Sequence, residues 1–341
     1  MWKKWIDRLE LFKCLTLTKC WNFALLAGSF GLSRGSKKVL FAGLPVAISI
    51  EPTTACNLRC PECISGLRAF KRPTGTLQIE LFKQVIDQLH HRLIWLTLYF
   101  QGEPYLHPHF TELVRYARQR GIYTATSTNA HFLNQENARK TVESGLHRLI
   151  ISIDGASQAT YERYRIGGKL EKVIEGTKNV LAWKKRLKST TPHVIFQMLV
   201  LRPNEHEIEQ VKQLAHQLGV DELQLKTAQI NNYQNGSPLI PLQSKYARYA
   251  RQIDGTYQIK NPLNNSCWRM WHSCVVTWDG KIVPCCFDKD AQHTLGNLTE
   301  ESFLHIWYGK AYQHFRQQLL LSRKEIDICQ NCTEGMKIFQ S

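Results

Sequence analysis

The residues best suited to chemistry in this 341-residue chain are its eleven cysteines, nine of which fall into two groups. Cys56, Cys60 and Cys63 form one group; the other runs from Cys267 to Cys332, and the 203 residues between Cys63 and Cys267 hold no cysteine. Clustering of this kind, with no clear export signal, points to metal in a reducing compartment and so to a cytoplasmic protein. In Cys56-x3-Cys60-x2-Cys63, three thiolates on one short loop can converge on a metal cluster. A structural zinc site asks for four closed ligands, usually in paired C-x2-C spacings. Three cysteines on a cubane instead leave one iron open, and that iron can bind a substrate or cofactor.

The elements around this loop must hold it in place. From residue 46 to about 230, apolar runs alternate with amphipathic helical patterns. The first strand is expected at Val46–Ile50, followed by a helix whose face is marked by Leu81, Phe82, Val85, Ile86 and Leu89. Leu93–Phe100 is nearly continuous apolar and reads as a strand buried on both faces. Further strands are expected at 122–127, 148–153, 193–201 and 222–228, with helices at 109–120, 134–144 and 169–188. Gly121 and Gly145 supply helix stops. Asn204 with Glu207 resembles a capping box for a helix ending at Gly219. Strand and helix alternation implies a parallel sheet. The fold class is therefore α/β, a partial (β/α)6 TIM-like barrel with a small C-terminal cysteine-rich module of β-hairpin and helix. A flat doubly wound sheet is the alternative, but Thr53-Thr54-Ala55-Cys56 stands where its glycine-rich phosphate loop would be. In barrels, chemistry sits at the carboxyl ends of the strands, which places the cysteine loop there.

With the loop on the first strand, the sequence resembles the radical S-adenosylmethionine (SAM) superfamily, whose signature is C-x3-C-x2-C at this position. The resemblance implies a [4Fe-4S] cluster on Cys56, Cys60 and Cys63 whose open iron chelates SAM. Reductive cleavage of SAM then gives a 5′-deoxyadenosyl radical that abstracts hydrogen from a substrate. Gln101-Gly102-Glu103-Pro104 resembles the G-G-E-P segment that binds the SAM ammonium, with Gln101 replacing its first glycine. Glu62 stands where the family usually has an aromatic residue. Ser127 and Asn129 end the third strand, and Ser152 and Asp154 end the fourth. Ser152 matches a ribose-region contact, and Arg165 matches an arginine that meets the SAM carboxylate.

The second group, Cys267-x12-Gly280-x4-Cys285 with Cys329-x2-Cys332, resembles the auxiliary-cluster module of SPASM and Twitch domains. Four ligands imply one further [4Fe-4S] cluster, so two in all, and the shorter Twitch form. Val275–Trp278 and Lys281–Val283 flank Asp279-Gly280, read as a two-residue hairpin turn. In that register Cys274 lies directly across from Cys285, so Cys274 competes with Cys267 as a ligand. Cys286 follows Cys285 where sulfatase-maturing relatives carry a proton-accepting acid. It is a candidate hydrogen donor or proton acceptor, or a small residue packed under the cluster. The Trp268 and Trp271 pair is expected to shield that cluster, and a substrate role for His107 or His109 is left open.

Four segments follow: an N-terminal helical extension (1–45), the core barrel (46–230), a polar linker (231–266) and the auxiliary module (267–341). The module has little core of its own, so a metal staple makes physical sense. The chain has 44 Lys and Arg against 28 Asp and Glu, a formal charge of +16 that favours an anionic partner without naming one. The basic residues are scattered, so no nucleic-acid partner is expected. No run of about 18 apolar residues is present. Residues 1–45 read as helices packed on the main domain, with a peripheral membrane contact as the alternative. The resemblance implies a net oxidation or modification of a peptide, protein or small molecule, with an electron donor such as flavodoxin or ferredoxin. The competing reading is a non-catalytic zinc or iron–sulfur module with a basic nucleic-acid-binding surface.

Overall fold

Period-3.6 apolar stripes and short apolar runs assemble into strands crossed by helices, as their alternation requires. The computed structural model describes residues 2–334; the end of the expected 267–341 module, residues 335–341, lies outside the described residues. Strands β1 (Ala47–Ile50), β2 (Trp95–Thr97), β3 (Tyr123–Thr128), β4 (Arg148–Ser152), β5 (His193–Val200) and β6 (Glu222–Thr227) lie side by side in chain order. Each pairs in parallel with the next. The crossover helices include Ile79–Leu89, Phe110–Gln119, Gln135–Glu143, Leu170–Arg186 and Ile208–Leu218. On the first of these, Phe82, Val85, Ile86 and Leu89 are fully buried against the sheet, each worth roughly 1.5–3 kcal/mol of transfer free energy. This is the expected partial barrel.

Within residues 46–266, some details differ from the sequence expectation. β2 is not buried on both faces: Leu96 and Leu98 are buried, while Trp95, Thr97 and Tyr99 are only half-buried and turn to the opposite side. The apolar run hides this because two of those three side chains are themselves aromatic. The capping box does not form. Asn204 donates instead to the carbonyls of Asp154 and Leu199, and the Glu207 carboxylate accepts from Ser157, Thr160 and the Ala156 amide. The 231–266 stretch is folded rather than a bare linker. It carries the antiparallel pair β7 (Tyr249–Arg251) and β8 (Tyr257–Ile259), over a small core where Tyr233 stacks on Tyr249 with ring centroids 4.2 Å apart.

The cysteine-rich C-terminal segment extends the barrel sheet. β9 (Ser273–Val276) runs parallel to β1, β10 (Lys281–Val283) pairs antiparallel to β9, and β11 (Gly296–Asn297) completes a nine-stranded sheet. The hairpin forms, but Val276 faces Ile282 and Val275 faces Val283, one residue away from the expected register. The turn is made of three residues, Trp278, Asp279 and Gly280, and is closed by Thr277 N donating to Lys281 O at 2.9 Å. Gly280 takes a left-handed φ of 87°, as the third position of such a loop requires. At the other end of the chain, helices Trp2–Lys13 and Leu17–Ser36 pack on the barrel. Asp7 binds the Tyr123 hydroxyl and Arg148, and Lys19 Nζ donates to Gly121 O at 2.6 Å.

Candidate metal centres

The loop carrying Cys56, Cys60 and Cys63 leaves β1 and is held by backbone contacts from both sides. Ala55 O accepts from Glu103 N at 2.7 Å, and Ser65 Oγ accepts from Gly102 N at 2.9 Å. Gly102 has φ 73°, and a Cβ there would stand 2.2 Å from Thr53 O, so only glycine allows this approach. Gly66 is equally close, with a Cβ 2.5 Å from Cys60 N. Donors reach the sulfurs: Leu58 N to Cys56 Sγ at 3.5 Å and Arg165 Nη1 to Cys60 Sγ at 3.9 Å. Burial pushes the Cys56 thiol up to about 11, and raises Cys60 against the opposing pull of Arg165.

The three thiols share a cavity of about 120 Å³ with Tyr99, Gly102, Glu103, Ser127, Asn129, Ser152 and Arg165, among others. Glu103 is 2% exposed. Its Oε1 accepts from Thr128 Oγ1 at 2.6 Å and from Tyr105 N at 3.2 Å, and its Oε2 from Asn129 N at 2.8 Å. Burial lifts its pKa to about 6 against those hydrogen bonds. Asp154 does not line the cavity. It accepts from Arg165 Nε at 2.5 Å and from Leu199 N at 2.7 Å, so it aims the guanidinium. Gln101 is buried and also off the cavity wall. Glu62 turns to accept from Asn231 N.

The second cysteine group divides. Cys332 Sγ accepts from Arg323 Nη2 at 3.5 Å and from Glu334 N at 3.3 Å. Burial pushes Cys267 up to about 11 and Cys329 up to about 12, and the Cys332 thiol beside each adds to the rise. Cys285 is raised by burial and then by neighbouring thiols, first by the adjacent Cys286 and after it by Cys267 and Cys332. Cys267, Cys285, Cys329 and Cys332 therefore form one neighbourhood. Cys274 is outside it: the register of β9 and β10 turns it into the core, where burial pushes it up to about 12 and Tyr312 and Arg316 are its partners. Among the described residues, no three His, Cys, Asp or Glu side chains converge closely enough to hold a single metal ion. Thiolates on the corners of a cubane stand farther apart than ligands on one ion, and both groups suit the larger body.

A second cavity, about 450 Å³, adjoins the first through Tyr99, which lines both. Its wall includes Trp95, Thr97, Arg269, His272 and the exposed Cys286. Burial opposes the charge of Arg269, but Cys286, Glu334 and Cys285 outweigh it and hold the guanidinium pKa above its ordinary value. Lys289, whose pKa is lowered by burial, feels both Cys63 and Cys286. Tyr99, Arg269 and Lys289 were missed in the sequence; strict period-2 counting along β2 would have found Tyr99, and nothing marked the other two. His107 is structural, its Nε2 on Leu77 O at 2.9 Å and its Nδ1 taking the His109 amide. Trp271 is fully buried beside Phe30, and Trp268 stacks on His272.

Comparison with known proteins agrees with this geometry. The radical SAM superfamily model matches residues 50–215, and the SPASM model, an iron-sulfur cluster-binding domain, matches 267–333. The chain belongs to the radical SAM superfamily and carries a SPASM module; its cofactors are [4Fe-4S] clusters and SAM. It is 24% identical over 310 residues to the tungsten-containing aldehyde ferredoxin oxidoreductase cofactor-modifying protein of Pyrococcus furiosus, covering 78% of this chain and 82% of that one. BtrN, solved in complex with AdoMet and 2-DOIA, shares the fold with a TM-score of 0.55 at 20% identity, over 86% of this chain and 95% of that chain. Streptococcus suis SuiB, solved bound to precursor peptide SuiA, gives 0.61 at 13% identity, over 84% of this chain and 69% of that chain.

Proposed function

We propose that this chain removes a hydrogen atom from a substrate seated in the larger cavity, using SAM bound beside Cys56, Cys60 and Cys63. The [4Fe-4S] cluster and SAM supply an electron and a 5′-deoxyadenosyl radical when bound. The observation that carries the reading is Tyr99, which lines both the cysteine cavity and the larger one. Glu103 offers the acceptor for the SAM ammonium, since its Oε2 has a single donor on it. Arg165, aimed by Asp154, would meet the SAM carboxylate; Ser127, Asn129 and Ser152 would serve the ribose side, and Gln101 would support the Gly102 turn. Cys267, Cys285, Cys329 and Cys332 would hold a single auxiliary cluster, with the substrate's second electron leaving that way. Net two-electron oxidation then follows.

Cys286, on the wall of the larger cavity, would meet the substrate, either to give it hydrogen or to take a proton. A peptide or protein that inserts one residue fits best, and a small molecule is the alternative. The volume lies in the range of ligand sites, about 300–1,000 Å³, Arg269 favours an anionic group, and SuiB provides a peptide-bound relative of this fold. Reducing equivalents would come from a flavodoxin or ferredoxin. Anaerobic analysis should find about eight irons per chain with matching sulfide if two cubanes are present, and 5′-deoxyadenosine on addition of SAM and dithionite. Cys60→Ala should abolish its release. Zinc without visible absorption would favour a non-catalytic binding module instead.

A further inference from the structure

The helix Leu17–Ser36 is amphipathic the wrong way round for a helix facing water. Lys19, Asn22, Ser29 and Ser33 are among its five buried residues, and their polar atoms are satisfied inside: Asn22 Nδ2 on Leu44 O at 2.8 Å, Ser33 Oγ on Leu40 O at 2.6 Å. The side turned outward is apolar. Leu17 is 91% exposed, Trp21 66% and Leu32 64%, and with Leu25 and Gly28 they follow one helical stripe. No charged residue occurs between Lys19 and Arg34. The preceding helix, Trp2–Lys13, adds a second stripe of Trp5, Leu9 and Phe12, all more than half exposed. A solvated face would carry charge at these positions.

The charges beside the stripes have one sign. Asp7 and Glu10, the acids of residues 2–45, are buried and paired with Arg148 and with Lys13 and Arg118. The exposed charges of that segment, including Arg8, Lys13, Arg34, Lys37 and Lys38, are all basic. Neither helix is long and apolar enough to cross a membrane. Tryptophan, leucine and phenylalanine on one side with basic residues around them match an element lying in a bilayer interface.

We propose that these two helices seat the chain on the surface of an anionic lipid bilayer, with the apolar stripes at the acyl boundary and the basic residues among the headgroups. The helix Leu17–Ser36 meets the wall of the larger cavity on its side away from the apolar stripe. Phe23 meets Trp268 edge-on at 5.9 Å, Trp268 stacks on His272 at 4.8 Å, and His272 lines that cavity.

The test is flotation of the full-length, cluster-loaded protein with vesicles of phosphatidylcholine containing about one third phosphatidylglycerol, against vesicles of phosphatidylcholine alone. The protein should float with the anionic vesicles and bind them less as salt is raised. Trp21→Ser/Leu32→Ser should weaken binding at least tenfold. Arg34→Gln/Lys37→Gln/Lys38→Gln should weaken it on the order of a hundredfold, at roughly fivefold per basic residue. Both variants should keep wild-type iron content and circular dichroism, and SAM cleavage is not needed for the readout. Failure of the wild-type protein to float, or vesicle affinities of both variants equal to wild type, would overturn the proposal. A stable dimer in ultracentrifugation that Trp21→Ser/Leu32→Ser dissolves would overturn it too, because a second copy would then cover the face.

Discussion

Glu51 and Arg72 form the most deeply buried ion pair near the cysteine loop, and their separation should cost a large share of the fold's stability. Arg72 Nη1 and Nη2 donate to the two Glu51 oxygens at 2.8 and 2.6 Å, with side-chain exposures of 4% and 0%. The same arginine donates through Nε to Lys289 O at 3.1 Å, and Glu51 also accepts from Trp278 N. Arg72→Met strips the carboxylate of its fork while burial prevents water from replacing it. Breaking a buried pair in this way costs about 3–5 kcal/mol, against a total that is typically 5–15 kcal/mol. Thermal unfolding of the anaerobic holoprotein should fall by roughly 5–10 °C. Glu51→Gln/Arg72→Met, which removes the stranded charge, should recover part of the loss, so the cycle should show coupling of about 1–3 kcal/mol. As a control, Lys212→Ala breaks the exposed pair with Glu209 and should stay within about 0.5 kcal/mol. If Arg72→Met unfolds with that control, the fork does not carry the proposed load.

Gly102→Ala should lower SAM-dependent 5′-deoxyadenosine release roughly tenfold or more, because a Cβ 2.2 Å from Thr53 O must displace the Glu103 clamp. Because burial lifts Glu103 to about 6, and its ionised form is the proposed ammonium acceptor, SAM affinity in equilibrium dialysis should weaken as pH falls through that value. It should be about tenfold weaker one unit below, and Glu103→Gln should bind weakly with no such dependence. The same raised pKa means that ionising Glu103 opposes folding, so its contribution to stability falls as pH rises from its unfolded value toward 6. Cys274→Ala should leave iron content near wild type, whereas Cys267→Ala should lose about four irons. Cys286→Ser should keep both clusters and SAM cleavage while lowering product formed per 5′-deoxyadenosine.

The barrel was legible because its helices carry strong apolar stripes and its strands end in polar side chains. Cys56, Cys60 and Cys63 were legible because local spacing alone puts them on one loop. What the sequence hid depends on contacts between distant segments. The hairpin was visible at Asp279-Gly280, but whether the turn takes two residues or three is decided by Thr277 and Lys281 closing it. That single step moves Cys274 from a place opposite Cys285 into the core, because strand side chains alternate faces. The 231–266 stretch looked like a linker because its apolar residues are sparse and irregularly spaced, yet Tyr233, Ile240 and Tyr249 find one another. Asp154 shows the same limit: its position at a strand end suggested contact with a cofactor, and only the fold reveals that Arg165 stands between.

The relation between the two cysteine groups is set by backbone rather than by a tether. β9 pairs with β1 over four residues, from Ala47 with Ser273 to Ile50 with Val276, and the Cys56 loop begins a few residues beyond Ile50. Ladder hydrogen bonds therefore fix the auxiliary module against the strand that carries the first cysteine group. The Arg72 fork ties the segment after Cys63 both to Glu51 and to Lys289 O, three residues past Cys286. Motion of the module relative to the barrel would have to break these contacts together, and they are buried. The larger cavity, walled by β1, β2 and the segment leading into β9, is thus preformed, and the proposed substrate would enter a site whose walls are already in place instead of drawing two loosely joined domains around itself.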